Sequence, residues 1–158
     1  MKIALSILIL VLGRLLPHPY NFTPLIGLIL YNTQHNFIKS LMISILGMLI
    51  SDYFISGTFT WYVYLTIVIL TIIARYTVVN NTVQVLLLNS ISFSIIFFLI
   101  TNAFCASYYN SLTASYIAGL PFLRNQFLGD IFYTIIFFKL NGIIDYLTYF
   151  KTNKHERI

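Results

Sequence analysis

The sequence predicts an all-α integral membrane protein, folded as a compact bundle of about six transmembrane helices. Of its 158 residues, 59% are hydrophobic and only 8% are charged, more apolar surface than a soluble domain of this size can bury. Irregular backbone cannot face lipid, so each membrane-spanning segment must be a helix or a strand of a closed barrel. The apolar residues come in long runs without a period of two, which indicates helices.

The chain has room for one domain. We predict a transmembrane helical domain over residues 1–150 and a short basic cytoplasmic tail over residues 151–158. The single cysteine, Cys105, excludes an internal disulfide. Lys2 and the apolar run after it resemble a signal peptide, but Arg14 and a proline-rich stretch follow where a cleavage pattern is expected. We therefore expect a retained first helix, with a cleaved signal peptide as the weaker alternative.

Apolar runs and helix-breaking residues set the predicted helices. Thr23 before Pro24 is typical of a helix N-cap followed by the first helical position, and Asn81 with Gln84 resembles a capping box. A polar loop is expected at residues 32–36. A charge-free connection is expected from Cys105 to Gly119, with room for a short helix at 112–118. The predicted helices are 3–16, 23–31, 37–55, 60–79, 82–104 and 126–150.

Several of these helices are shorter than the roughly 20 residues that a perpendicular span needs. Helices 1 and 2 are the shortest, so a four-helix alternative, with the first two segments as one re-entrant hairpin, stays open. With six spans, the cationic residues divide unequally between the two sides, which places both termini in the cytoplasm. One side holds Lys2, Lys39, Arg75, Lys151, Lys154 and Arg157, and the other holds only Arg14 and Arg124.

Residues 17–22, which we call the elbow, connect the first two helices. Pro17 and Pro19 flank His18 and cannot continue the preceding helix, because proline lacks the N–H and clashes with the turn before it. Proline also narrows the open-state ensemble, so that a closed conformation costs less entropy to reach. We therefore predict that the elbow is a lid, with His18 and Asn21 as hydrogen-bonding groups. The alternative is a plain turn.

The predicted topology gathers most polar side chains at the outer end of the bundle. Ionisable groups at membrane depth are costly and usually mark a site. These side chains, together with the elbow, form the predicted binding site for a small molecule. Its residues are Arg14, His18, Asn21, Phe22, Asp52, Asn102, Tyr109, Arg124, Asn125 and Asp130.

A structural role is the alternative for each of these groups. Asp52 with Arg14, or Asp130 with Arg124, could be ion pairs that join helix ends. We expect Arg14 and Asp52 to lie close together, because an unpaired charge there is costly. Asp130 near a helix N-terminus would also suit the helix dipole. The aromatic side chains could stack on a flat ligand or form an interfacial belt, which is the commoner case; they are Trp61, Tyr108, Tyr109 and Tyr116.

No enzyme signature is present in the sequence. It lacks a Gly-rich phosphate loop, an HExxH motif, a serine elbow and paired intramembrane acids. Cys105 has no second cysteine or histidine cluster to support a metal site. We therefore expect no enzymatic activity, no cofactor and no nucleic-acid partner; the lipid bilayer and a small-molecule substrate are the expected partners.

Four motifs carry a resemblance over most of the chain. They are RLLPHPYNFTPLIGLILY, ISDYFISG, FFLITNAF and YIAGLPFLRNQFLGDIFYT. They resemble a family of small uncharacterised bacterial membrane proteins labelled as transport proteins. The layout is also similar to the substrate-binding S components of energy-coupling factor (ECF) vitamin transporters. Those proteins have six helices with a short second one, cytoplasmic termini, and an outward pocket roofed by the loop between helices 1 and 2.

The resemblance implies an S-component-like protein of the bacterial inner membrane, crossing it several times. It would bind a vitamin or related micronutrient from outside and carry it inward. S components dock their transmembrane coupling subunit, which works with ATPases, through an Ala-x-x-x-Ala pattern in helix 1. Here Ala4, Ser6 and Gly13 do not have that spacing, so a solitary carrier is also open. The rival from another class is a structural or assembly subunit of a larger membrane complex, with no ligand and an outer face filled by side chains.

Overall fold

The structure, a computed structural model, describes residues 3–78 and 82–155, with side chains as far as residue 140. This part of the chain is all-helical and contains no strand, which confirms the all-α part of the prediction. It forms six helices: α1 (Ile3–Leu15), α2 (Leu25–His35), α3 (Phe37–Ile55), α4 (Trp61–Thr77), α5 (Val83–Tyr109) and α6 (Leu112–His155).

The first four helices follow the prediction closely, and α3 has the predicted bounds. The start of α2 differs, because Pro24 is the N-cap and Leu25 the first helical residue. The end of α2 also differs, because residues 32–35 continue the helix where a loop was predicted. Helix α5 is capped by Thr82, whose side chain accepts a hydrogen bond from the Val85 N–H. Asn81 of the predicted capping box lies outside the described residues.

The segment between α5 and α6 is the largest correction. Residues 105–109 extend α5, and α6 already begins at Leu112, with Pro121 inside it. Asn110 has φ 55°, a left-handed conformation that asparagine tolerates, and it ends α5. Ser111 then accepts from the Ala114 N–H, as an N-cap does. The predicted connection at 105–119 is therefore a helical hairpin with a two-residue turn.

The same correction moves the predicted end of α5 and the predicted start of α6. Asn102 lies about two turns before the end of α5. Arg124, Asn125 and Asp130 lie well inside α6 and do not open it, so the helix-dipole explanation for Asp130 is wrong. Helix α6 continues through residue 155, into the predicted tail at 151–158, and residues 156–158 lie outside the described residues.

The short helix α2 lies at the centre of the bundle and contacts all five other helices. Residues 25–33 are all buried. Most of the apolar core surrounds them, including Leu10 of α1, Ile67 of α4, Phe93 of α5 and Phe137 of α6. Close packing depends on small residues, for example where a Cβ on Gly47 of α3 would lie 2.5 Å from the Leu10 side chain.

Helix length differs sharply between the centre and the periphery. Helix α2 has 11 residues and is about 16 Å long, whereas α5 has 27 residues and is about 40 Å long. The longer helices therefore extend beyond the N-terminus of α2. We call this the cavity end of the bundle; it is formed by the last turns of α1, α3 and α5 and the first turns of α2, α4 and α6.

Two described helices, α3 and α5, are long and apolar enough to cross a membrane. Helices α1 and α4 are apolar but shorter. Large apolar side chains are exposed along several helices, such as Leu8 on α1, Met42 on α3 and Leu99 on α5. The described part of the chain thus contains two candidate membrane spans.

Candidate functional site

A cavity of about 370 Å³ lies at the cavity end of the bundle. Its floor includes Leu25 and Ile26, the first residues of α2. All six helices and the segment between α1 and α2 contribute to its walls, with Arg14 on α1 and Met48 on α3 as the contributions of those helices. Because α2 begins so far below the ends of its neighbours, the space above its N-terminus is only partly filled by the elbow.

The cavity brings together half of the predicted site residues. Those that line it are Arg14, Asn21, Asn102, Tyr109 and Asp130. The other five do not line it: His18, Phe22, Asp52, Arg124 and Asn125. Their positions explain why, since Arg124 is exposed on the surface of α6, and Asp52 lies behind Arg14.

Arg14 and Asp52 form an ion pair, as predicted. Arg14 Nη1 lies 2.6 Å from Asp52 Oδ1 and donates a second hydrogen bond to Ser51 Oγ at 2.5 Å. The Tyr64 hydroxyl of α4 donates to the other carboxylate oxygen, Oδ2, at 2.5 Å. Both oxygens of Asp52 therefore have a partner, and the network joins α1, α3 and α4.

Asp130 has a different environment. It is 1% exposed, and Ser94 Oγ on α5 donates to Asp130 Oδ2 at 2.7 Å. Gln126, one turn earlier on α6, directs its amide toward the same carboxyl group. Within the described part of the chain, Arg14–Asp52 is the only salt bridge, so the predicted pair of Asp130 with Arg124 is absent there.

The elbow forms one wall of the cavity through Asn21. Asn21 has φ 65°, in the left-handed region. His18 is held by backbone groups: its Nδ1 lies 2.7 Å from the Pro19 carbonyl oxygen and its Nε2 lies 3.2 Å from the Arg14 carbonyl oxygen. Phe22 packs against Phe132 and Tyr133 of α6, away from the cavity.

The elbow has an anchored side at Phe22 and an exposed side at Tyr20. A Cβ on Gly129 of α6 would lie 2.9 Å from Phe22 Cα, so backbone packs closely on backbone and anchors that side of the elbow. Tyr20 is 77% exposed, and its ring makes an edge contact with Phe122. Of the two proposed hydrogen-bonding groups, only Asn21 faces the cavity. The lid role itself stays a prediction.

Several lining residues were not among the predicted site residues. Tyr62 Oη lies 3.1 Å from Cys105 Sγ, which closes one side of the cavity between α4 and α5. The lining residues that the prediction missed carry no charge and lie in ordinary apolar or polar helical runs. Apart from their aromatic rings, nothing in the sequence indicated that they line a binding site. The main additions are Tyr62, Phe97, Phe98, Thr101, Phe122 and Gln126.

The other predicted aromatic residues are at the edge of the cavity end. Tyr108 and Trp61 are largely exposed and do not line the cavity, which is the position an interfacial belt would have. Tyr116 donates from its hydroxyl to the Leu99 carbonyl oxygen at 2.8 Å and joins α6 to α5. Only Tyr109 of the four lines the cavity.

The cavity has a modest volume and mostly apolar and aromatic walls. Among the described residues, no group of three or more His, Cys, Asp or Glu side chains could hold a metal ion. A volume near 370 Å³ falls at the lower end of the range of about 300–1,000 Å³ that small-molecule sites occupy. Apolar and aromatic walls with a few polar groups are typical of such sites.

Comparison with known proteins gives one result for the chain. No curated protein and no solved structure matches it. A family model, described as a family of unknown function (DUF6580), matches residues 1–151. The match covers nearly all of the 158 residues, and the chain therefore belongs to this family of unknown function.

Proposed function

We propose that the protein is a membrane transport protein that binds a small molecule from the outer side and carries it inward. The observation that carries this proposal is the cavity of about 370 Å³ at one end of the bundle, with polar and aromatic groups in its wall. Burying an ionisable group is costly, and the fold places one, Asp130, at this cavity. A bundle with a purely structural role has no need of such a space.

The proposed location is the bacterial inner membrane, crossed several times, with both termini in the cytoplasm. The exposed apolar side chains on α1, α3 and α5 suit a lipid environment. Arg14 and Arg124 are the cationic residues nearer the cavity end, whereas Lys39, Arg75, Lys151 and Lys154 lie toward the opposite end. Since cytoplasmic loops collect Lys and Arg, this distribution supports an outward-facing cavity. Lys2 and Arg157 lie outside the described residues.

The arrangement is consistent with an S-component-like carrier of a vitamin or related micronutrient. The second helix is short, and the connection between α1 and α2 forms part of the cavity wall. In S components the small residues of helix 1 contact the coupling subunit, whereas Ser6 and Gly13 of α1 contact other parts of this bundle. Ser6 is buried, and a Cβ on Gly13 would lie 2.7 Å from the Pro24 ring, so both serve packing within the bundle. An energy-coupling subunit with ATPases would have to dock elsewhere; a solitary carrier is the other option.

The rival proposal is a structural or assembly subunit of a larger membrane complex. The exposed apolar faces of the bundle favour it, since such faces bury well against other proteins as well as against lipid. The two proposals differ in the expected contents of the cavity end: the carrier holds a ligand there, and the structural subunit does not.

Native mass spectrometry of the full chain, isolated from its own membrane, tests the proposal. We expect wild-type protein to carry an additional mass of a small molecule. Ala118→Phe, which fills the cavity from α6, should lose this mass. Ala114→Phe is the matched control, because Ala114 is one turn earlier on α6, exposed and outside the cavity, and it should keep the ligand.

The opposite result is equally clear. If wild-type protein carries no small molecule and is isolated only in a stoichiometric complex with other membrane proteins, the structural-subunit proposal replaces the carrier proposal. Melting curves of both variants in detergent show whether either substitution acts through unfolding.

A further inference from the structure

We propose that the cavity selects a flat, largely apolar molecule that carries a positively charged nitrogen, and that Asp130 receives this nitrogen. This inference rests on the proposed function, since it names the class of substrate for the same cavity. It depends on the charges at the cavity, on the partners that each charged group already has, and on the shape of the walls.

The charge of Arg14 is already neutralised within the protein. Its Nη1 donates to Asp52 Oδ1 at 2.6 Å and to Ser51 Oγ at 2.5 Å. The counter-charge is supplied by Asp52, whose second oxygen accepts from Tyr64. An anionic ligand at Arg14 would therefore have to compete with an existing, largely buried ion pair. Arg14 is a weak candidate for the ligand's main partner.

Asp130 is the acid that lacks such a partner. Its carboxyl group is buried on the inner side of the cavity wall, and in the described part of the chain no cation lies within salt-bridge distance of it. Ser94 has a single hydroxyl proton, and its Oγ is 2.7 Å from Asp130 and 2.9 Å from the Ser90 carbonyl oxygen. The proton can serve only one of these acceptors at a time. The surroundings of Asp130 thus provide one shared hydroxyl and the Gln126 amide, but no cation among the described residues.

A cationic ligand removes this deficit. A buried carboxylate that gains an opposite charge and an N–H donor offsets part of its desolvation cost. The same nitrogen would meet aromatic side chains, because Phe97, Phe98, Phe122, Tyr62 and Tyr109 line the cavity. Aromatic faces attract cations, most strongly where water is excluded. The walls therefore favour a charge that is adjacent to a flat ring.

The size of the cavity limits the ligand to a small molecule. At about 370 Å³, it has room for one or two fused rings with short substituents. Asn102 and Thr101 supply further hydrogen-bonding groups. The inferred class is a small heterocyclic or aromatic amine or amidine that is cationic at neutral pH.

Three probes of one shape test the charge preference. Benzamidine, benzamide and benzoate are nearly isosteric and differ in charge: positive, neutral and negative. Cys105 is the single cysteine and lines the cavity, so the rate of its alkylation by N-ethylmaleimide in the purified full chain reports occupancy. We expect benzamidine to slow alkylation about fivefold at a concentration about four times its Kd, and the other two probes to have much weaker effects.

The variant Asp130→Asn tests the assigned partner. It should raise the Kd for benzamidine, obtained from the concentration dependence of protection, on the order of tenfold or more, since a buried charge pair is lost. The matched control is Asp145→Asn, the same chemical change on the same helix about 22 Å from Asp130, and it should protect Cys105 as wild type does. Cys105→Ser gives the background of the assay.

Each other outcome overturns the inference. Protection by benzoate in place of benzamidine would assign the cavity to anions, and equal protection by all three probes would remove the role of charge; both results leave the small-molecule proposal intact. Benzamidine protection that persists in Asp130→Asn would assign the nitrogen to another group. If no probe protects Cys105, the cationic class is wrong, and the mass-spectrometric experiment judges the proposed function separately.

Discussion

The two buried aspartates of the described chain have opposite surroundings. Asp52, 8% exposed, has an arginine and a tyrosine hydroxyl on its two oxygens. Asp130, 1% exposed, has one shared serine hydroxyl and a nearby amide. The more deeply buried acid is thus the one with fewer partners. The difference teaches that Asp52 is held by an ion pair within the fold, whereas Asp130 is buried without a cation among the described residues.

The physical basis is the cost of a buried charge. An ion pair with its hydrogen bonds satisfied roughly offsets the desolvation of its members, but removing one member leaves the other uncompensated. At Asp52 every such group comes from the protein. At Asp130 the described residues provide no cation, so no ion pair compensates the burial of this acid in the unliganded protein. Local instability of this kind is common at functional sites.

The largest expected effect comes from breaking the Arg14–Asp52 pair. Arg14→Gln should lower the free energy of unfolding by about 3–5 kcal/mol, because it leaves Asp52 buried without a cation. Asp52→Asn should be destabilising for the converse reason. The double variant should be milder than the sum of the two, as measured by unfolding in detergent. Strict additivity would show that the two groups do not interact.

A smaller effect is expected at the hydroxyl that supports this pair. Tyr64→Phe should lower the free energy of unfolding by about 1.5 kcal/mol, since the lost hydrogen bond goes to a charged acceptor. In the Asp52→Asn background the same change should cost about 0.5 kcal/mol, because the acceptor is neutral. An equal loss in both backgrounds would mean that Tyr64 acts through packing and not through the carboxylate.

The smallest expected effect, and the one of opposite sign, is at Asp130. Asp130→Asn keeps the shape of the side chain and an acceptor for Ser94, and removes an acid without a cation. We expect the free energy of unfolding without ligand to rise by about 0.5–1 kcal/mol. Melting curves of wild type and variant in one detergent measure this. A loss as large as that of Asp52→Asn would place Asp130 among the residues that hold the fold together.

Much of the helical architecture followed from local patterns. The bounds of α3 were predicted because an apolar run begins after Asn36 and ends before Ser56 and Gly57, and the structure has the same bounds. The ion pair of Arg14 with Asp52 was predicted from the cost of a lone charge in an apolar setting and is present. Both inferences depend on properties that neighbouring residues and composition already fix.

The hairpin between α5 and α6 could not be predicted in this way. Residues 105–119 are polar and aromatic, without the apolar run that indicates a buried helix, yet they are helical except at Asn110 and Ser111. Contacts between α5 and α6 stabilise this segment. Ser115 Oγ donates to the Asn102 carbonyl oxygen at 2.7 Å, and the Tyr116 hydroxyl donates to the Leu99 carbonyl oxygen. Such contacts form only after the chain has turned back on itself.

The sequence by itself determined that this chain is helical and that Arg14 and Asp52 belong together. Only the tertiary structure decided which polar groups share a cavity. It turned His18 and Phe22 away from that cavity, brought Tyr62 and Cys105 into its wall, and left Asp130 without a cation among the described residues. The physical reason is that periodicity and composition act along the chain, whereas the cavity arises from the unequal lengths of packed helices, above the short α2.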